Sequence, residues 1–315
     1  MKSNRYFLLA PVIMIIVFMQ TAFTSNEPAS KEELGKLLFF DPILSKDKTV
    51  SCGTCHLPER AFADTGAVSF GVGGAKGKRN TPSAMNLRFT KTFFWDGRAK
   101  TLEEQALMPI EDPSEMNLPI DKAVQRLRKS ATYNRYFKKI FNSEPTAANL
   151  GAAIAAFELT QETSDAPFDV WKFYDEPTAV PDAAKRGFNV FSTKGKCTVC
   201  HFGSDFTQSD FKNIGLFNGK ALNDSGRAGI TKLPGDIGRF KTPGLRNIAV
   251  TAPYMHNGMF KTLEEVIDFY NDAPGKVPDA INRDTSLAKP LGLTDQEKSD
   301  LKAFLESLTD KRFQR

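Results

Sequence analysis

The chain has 315 residues, 41% hydrophobic and 25% charged, a composition that suits two soluble, folded domains of ordinary size. Its net charge is +5, and two of those charges are Lys2 and Arg5 in the first segment. So mild a positive balance excludes a nucleic-acid-binding role.

In chain order, Phe7 to Phe23 is an almost wholly apolar run behind Lys2 and Arg5, and polarity returns at Thr24 to Glu27. Residues 1–25 read as a secretory signal peptide and predict export to the periplasm. At about 17 residues the run also sits at the lower edge of a membrane-spanning helix, so an uncleaved N-terminal anchor is the alternative. Helical apolar spacing recurs over Lys31 to Phe39, Ile120 to Phe141, Ala147 to Thr163, Ala183 to Phe191 and Thr294 to Leu308, with Asp121 and Thr294 as candidate caps. Strand signal is sparse. Thr160 to Asp182, with Pro167, Pro177 and Pro181, reads as an inter-domain connection, dividing the rest into 26–175 and 176–315.

Two pentapeptides carry the chemistry: Cys52-Gly53-Thr54-Cys55-His56 and Cys197-Thr198-Val199-Cys200-His201. C-x-x-C-H is the pattern of c-type haem attachment: two thiols add to the vinyl groups and the adjacent His ligates the iron. The two sites use all four Cys and two of the three His. A zinc knuckle would need further Cys or His, and a redox dithiol a thioredoxin-like βαβ pattern; neither is present. The cofactors are therefore two covalent haem c groups. The glycine-rich stretch from Gly66 to Gly77 lacks the Gly-Lys-Ser/Thr ending and following helix of a phosphate loop, and reads as a loop at a haem edge.

The chain also repeats itself. Arg79-Asn80-Thr81-Pro82, Asn86, Trp95-Asp96-Gly97 and Lys100-Thr101-Leu102-Glu103-Glu104 return as Thr242-Pro243, Asn247, His256-Asn257-Gly258 and Lys261-Thr262-Leu263-Glu264-Glu265. The offset is constant (256 − 95 = 161), whereas the haem motifs are 145 apart (197 − 52), so 16 residues are added between motif and repeat in the second half. In each copy Thr-Leu-Glu-Glu opens a helix. The fold class is mainly α: two tandem cytochrome c-like haem domains with long loops, the haems near the domain interface.

Each iron has either a second axial ligand, as electron carriers do, or an open face. Only His256 remains, so at most one haem is bis-His. Register places Tyr270 opposite Pro109 (270 − 109 = 161). Proline cannot coordinate and a tyrosinate can, so the first haem would be open and the second capped. Tyr270 also fits a packed aromatic on the face Leu263-Val266-Ile267-Tyr270. Met255 and Met259 compete as second-haem ligands, and Met108 as a cap for the first.

These motifs, with Phe94-Trp95-Asp96-Gly97-Arg98 and Thr251-Ala252-Pro253-Tyr254-Met255-His256-Asn257-Gly258, resemble the bacterial di-haem cytochrome c peroxidase family, including its branch that matures the tryptophylquinone cofactor of methylamine dehydrogenase. The resemblance covers nearly the whole chain after residue 25. It implies peroxidase activity: hydrogen peroxide would bind at the N-terminal haem, while the C-terminal haem takes electrons from a small cytochrome c or copper protein. Trp95, otherwise a large core aromatic, would relay electrons between the haems. Gln105 and Glu115 match distal-pocket positions, Pro109 lines that pocket, and Glu115, otherwise a surface acid, would serve as acid/base in O–O cleavage. Asn80 through its side chain, and Thr251 and Pro253 through carbonyls, match a calcium site. His256 matches a hydrogen-bonding position near the second haem rather than an axial one.

Two departures stand out. Val68 to Lys78 holds no His to block the first haem, so reductive activation through such a His is not expected. Tyr270 stands where many of these peroxidases have Met, as in the cofactor-maturing branch. A phenolate disfavours ferrous iron, lowers the second haem's potential and favours a doubly oxidised, bis-ferryl-like state. Three functions follow: peroxide reduction; peroxide-driven oxidation of a protein substrate; and non-catalytic electron carriage by two six-coordinate irons. A homodimer is compatible with all three.

Overall fold

The computed structural model describes residues 27–314; the expected signal or anchor over 1–25 lies outside them. The fold is mainly helical: α1 (Lys31–Phe40), α2 (Cys52–Cys55), α3 (Leu102–Glu111), α4 (Ile120–Lys129), α5 (Ala131–Phe141), α6 (Ala147–Glu158), α7 (Pro167–Phe173), α8 (Asp182–Ser192), α9 (Ala228–Thr231), α10 (Leu263–Asn271), α11 (Ala273–Lys276) and α12 (Asp295–Glu306). Two short strands, β1 (Phe211–Lys212) and β2 (Phe240–Lys241), pair antiparallel. Among the described residues no helix is long and apolar enough to cross a membrane.

Each half is built on one tight helix crossing. A methyl group on Gly35 of α1 would lie 1.8 Å from the Ala153 carbonyl oxygen of α6, and one on Gly187 of α8 would lie 1.9 Å from that of Asp300 in α12. Only glycine lets the backbones approach so closely. Beside each crossing two phenylalanines meet, Phe39 with Phe157 (ring centroids 5.1 Å apart) and Phe191 with Phe304 (4.9 Å). Around the first pair Leu34, Leu38, Leu150 and Ile154 are buried, and around the second Val190, Leu301 and Leu305.

The repeat read from the sequence is also a repeat of backbone shape. Asn86 and Asn247 both have positive φ (57° and 61°), as do Phe94 and Met255 (63° and 71°) and Gly97 and Gly258 (68° and 63°). Positive φ at non-glycine residues is uncommon, so its return at one register is strong evidence of common architecture. The bridges Phe93–Ala99 and Tyr254–Phe260 keep the same spacing. Thr101 accepts from the Glu104 amide at 3.1 Å and Thr262 from the Glu265 amide at 3.2 Å, so both expected helix starts are capped.

Three expectations about elements are corrected. The helix expected over Ile120 to Phe141 breaks at Ser130, whose side chain accepts from the Tyr133 amide and starts α5 afresh. Asp121 is not a cap: Pro119 holds that position and Asp121 sits in the first turn. The helix expected to reach Thr163 ends at Glu158, where the Thr160 hydroxyl donates to the Phe157 carbonyl at 2.6 Å. The connection after it is not featureless, because it contains α7. Phe168 of α7 packs into the second half's core, and Phe313 near the C-terminus packs against the first half's core. The halves therefore lap over one another.

Candidate active site

The first C-x-x-C-H forms a single turn of helix, α2, and the second a 3₁₀ turn. In each, the histidine's second nitrogen decides what the first can do. His56 Nδ1 lies 2.8 Å from the Phe62 carbonyl oxygen, and His201 Nδ1 lies 2.8 Å from that of Phe206. A carbonyl only accepts, so Nδ1 carries the proton in both, leaving the Nε2 lone pair free for a metal. Phe62 and Phe206 both hold positive φ (57° and 53°), which turns their carbonyls onto the imidazoles. Burial lowers both imidazole pKa values, which favours the neutral, ligating form. All four thiols are free, and burial pushes each of them up, Cys197 to about 12. Unpaired thiols beside a neutral, oriented imidazole fit the covalent haem that the motif implies.

Around the first site the chain supplies acids. Glu115 lies close enough to Cys52 and Cys55 to raise both thiols electrostatically. Its own carboxyl is pushed up to about 7, first by burial and then by Asp112, with Arg98 opposing. It follows α3, where Gln105 and Pro109 sit; the Pro109 carbonyl accepts from the Met116 amide at 3.1 Å and helps fix the turn that presents Glu115. The glycine-rich loop closes over that turn. Val72 N–H donates to the Glu115 carbonyl at 2.8 Å, and a side chain on Gly71 would lie 2.3 Å from the same oxygen. Met108 packs against Phe93, Leu102 and Ala155.

The second site is a cavity lined by Cys197, Cys200, His201, Met255, Tyr270 and Leu305. Tyr270 is half-buried, and desolvation followed by the Cys200 and Cys197 thiols pushes its phenol well up. Of the three rivals at this end, Tyr270 and Met255 line the cavity, whereas Met259 is 41% exposed. Register places Lys276 where the first half has Glu115 (276 − 115 = 161), and Lys276 is exposed. The two sites thus differ in their acid as well as in their Pro109/Tyr270 pair.

Trp95 lines this same cavity, and its indole N–H donates to the Asn80 carbonyl at 2.8 Å. Its ring meets His256 edge-on at 6.5 Å, and His256 stacks on Phe240 at 3.7 Å. Burial lowers His256 to about 4, so it is neutral at physiological pH. The halves exchange backbone hydrogen bonds here: Asn80 N–H donates to the His256 carbonyl and Lys241 N–H to the Trp95 carbonyl, each at 2.7 Å. Arg79 clamps the joint, bidentate on Asp224 (2.7 and 2.8 Å) and 2.6 Å from Asp96, the residue after Trp95. Asn80, Thr251 and Pro253 line the same cavity as Trp95. The Asn80 amide nitrogen donates to the Gly66 and Ala67 carbonyls, leaving its oxygen without a partner among the described residues. That oxygen, with the Thr251 and Pro253 carbonyls, which accept no hydrogen bond among the described residues, is the kind of donor a hard cation such as calcium takes.

Sequence reasoning missed Glu158, Lys241 and the Arg79–Asp96–Asp224 clamp. Glu158 is buried close to Cys52, one of its oxygens has no hydrogen-bond partner among the described residues, and burial pushes it up to about 8. A lone acid closing the apolar run Leu150 to Phe157 was its only signal. Lys241 was detectable as the register partner of Asn80.

Comparison with known proteins agrees with this geometry. A family model described as di-haem cytochrome c peroxidase matches residues 29–176. The methylamine utilization protein MauG of Methylorubrum extorquens is 42% identical over 88% of this chain and 78% of its own length. The cytochrome c551 peroxidase of Pseudomonas aeruginosa is 36% identical over 91% of this chain and 81% of its own. Among solved structures, a MauG-like protein associated with microbial copper homeostasis superposes with a TM-score of 0.82 at 34% identity, covering 91% of this chain and 93% of its own. The diheme peroxidase BthA from Burkholderia thailandensis superposes at 0.80 and 28% identity, covering 90% and 86%. With its two oriented histidines, its four free thiols and relatives of this closeness, the chain belongs to the di-haem cytochrome c peroxidase family, a family of peroxidase oxidoreductases that carry two haem c groups.

Proposed function

We propose that this chain reduces hydrogen peroxide to water at the Cys52–Cys55–His56 site, with electrons entering at the Cys197–Cys200–His201 site from a small cytochrome c or copper protein and crossing by Trp95. When bound, the two haems supply the iron redox chemistry. The observation that carries the reading is the asymmetry between the sites: Glu115 is poised near neutrality beside Cys52 and Cys55, whereas Tyr270 occupies the second cavity with no acid at the matching position.

The chain's own residues then have distinct tasks. His56 and His201 present Nε2 to iron while Phe62 and Phe206 hold their rings. Glu115, with a carboxyl near 7, takes the proton from one peroxide oxygen and returns it to the other. Gln105 and Pro109 shape that pocket, and Pro109, which has no coordinating side-chain atom, would leave a bound haem's iron free for peroxide. Tyr270, with Met255 as its rival, would hold the second haem's iron opposite His201, and neutral His256 buttresses Trp95. Asn80, Thr251 and Pro253 would hold a calcium ion, which would brace the joint between the halves. The covalent haems call for export to the periplasm.

One observation favours a second reading, peroxide-driven oxidation of a protein substrate: a tyrosine lines the second cavity in a chain 42% identical to a methylamine utilization protein. Peroxide turnover with a reduced small cytochrome or copper protein separates the two. Rapid turnover supports the first; negligible turnover with a long-lived oxidised protein supports the second. Resting-state EPR is expected to show one high-spin and one low-spin haem, and Tyr270→Phe to alter only the low-spin signal. Carbon monoxide binding to neither reduced haem would defeat both readings in favour of an electron carrier.

A further inference from the structure

Among the described residues, one cation lining the second cavity, Lys241, has neither a charge partner nor an exposed side chain. Four basic side chains line that cavity: Lys196, Lys212, Lys241 and Arg246. Arg246 pairs with Asp169 at 2.7 Å, and Lys212 with Asp210 at 3.3 Å and Asp284 at 3.8 Å. Lys196 is exposed to solvent. Lys241 is only part-exposed, its ammonium makes no ion pair or hydrogen bond among the described residues, and desolvation alone lowers its pKa to about 8. A cation in such a place costs free energy unless a negative group joins it.

Its position restricts what that group is. Lys241 ends β2, and its backbone N–H donates to the Trp95 carbonyl at 2.7 Å, so it stands at the joint between the halves. The register partner at the same joint, Asn80, is neutral. A haem held through its vinyl groups by Cys197 and Cys200 turns its opposite edge, which bears two carboxylates, away from those thiols. We propose that the Lys241 ammonium is the counter-charge for a propionate of the haem at the His201 site and holds that haem's carboxylate edge beside Trp95. Lys241 is thus a cofactor-binding residue that tunes this haem alone. The proposal rests on the two-haem reading.

The test uses the haem-loaded full protein as wild type, Lys241→Met and Lys241→Arg. Haem is counted first by pyridine haemochrome. Fewer than two haems in the wild type would refute the two-haem reading itself, a result separable from the outcomes below. The propionate bending band in resonance Raman is expected to shift in Lys241→Met and to return in Lys241→Arg. The midpoint potential of the second haem is expected to fall in Lys241→Met, because losing a nearby positive charge favours ferric iron, and to be restored by arginine. Loss of only the second haem in Lys241→Met, with retention in Lys241→Arg, would also support the assignment. An unshifted band and potential in a fully loaded Lys241→Met would overturn it. Loss of the second haem from both variants would overturn it too, since packing rather than charge would then be at stake.

Discussion

The two halves share a scaffold and differ in what they place around it. The glycine crossing, the phenylalanine pair, the capped helix and the carbonyl-bonded histidine occur twice. The groups that the register sets opposite one another do not: Pro109 and Glu115 in one half, Tyr270 and the exposed Lys276 in the other. Duplication has kept the means of holding two haems and diverged in the means of using them. Which residues belong to the shared part and which to the divergent part is open to direct measurement.

The largest effect is expected at the divergent part. Glu115→Gln should lower kcat/KM for peroxide by about 10²- to 10⁴-fold, the usual worth of a placed acid/base, and abolish the rise in rate through pH about 7 as the carboxyl ionises. Lys276→Gln should leave both unchanged. Steady-state assays across pH check this, and equal losses in the two variants would break the asymmetry.

The shared scaffold is probed by Gly35→Ala and Gly187→Ala. Each forces two helices apart, and each should cost about 1–3 kcal/mol in denaturant unfolding, the range for overpacked cores. Unequal costs would mean that one crossing matters more than its twin.

Glu158 has no acidic counterpart and should make the first half pH-sensitive. Burial raises its folded pKa to about 8, above the ordinary carboxylate value of 4.5. Between those values the unfolded chain loses its proton while the native state keeps it, so stability falls as pH rises through this window. Glu158→Gln should remove that slope and raise the melting temperature at pH 8 relative to wild type, by an amount worth on the order of a few kcal/mol. Parallel melting curves at all pH values would show that Glu158 ionises freely. The smallest effect is at the caps: Thr101→Ala and Thr262→Ala should each cost about 1 kcal/mol, read by thermal unfolding.

Much of this was legible in the residues. The C-x-x-C-H motifs, the 161-residue register and the Thr-Leu-Glu-Glu starts are local chemistry, and each reappears as geometry. Ser130 was not legible as a break, because both flanks keep helical apolar spacing and only its own side-chain bond to Tyr133 decides the matter. Nor was α7, whose prolines suggested a linker although Pro167 opens a helix that buries Phe168. Glu115, Glu158 and Lys241 are ordinary charged residues in sequence. What sets them apart is the water taken from around them, which depends on neighbours far along the chain.

The lapping of the halves has a practical consequence. Phe168 belongs in sequence with the first half but in space with the second, and Phe313 does the reverse. Asn86 and Asn247 both donate to the Thr163 hydroxyl, at 3.0 and 2.8 Å, pinning the stretch between them from both sides. A protease nick in the exposed stretch around Tyr174 to Glu176 would therefore leave two fragments buckled together like clasped hands, and cloning either half alone would produce a piece that lacks part of its own core.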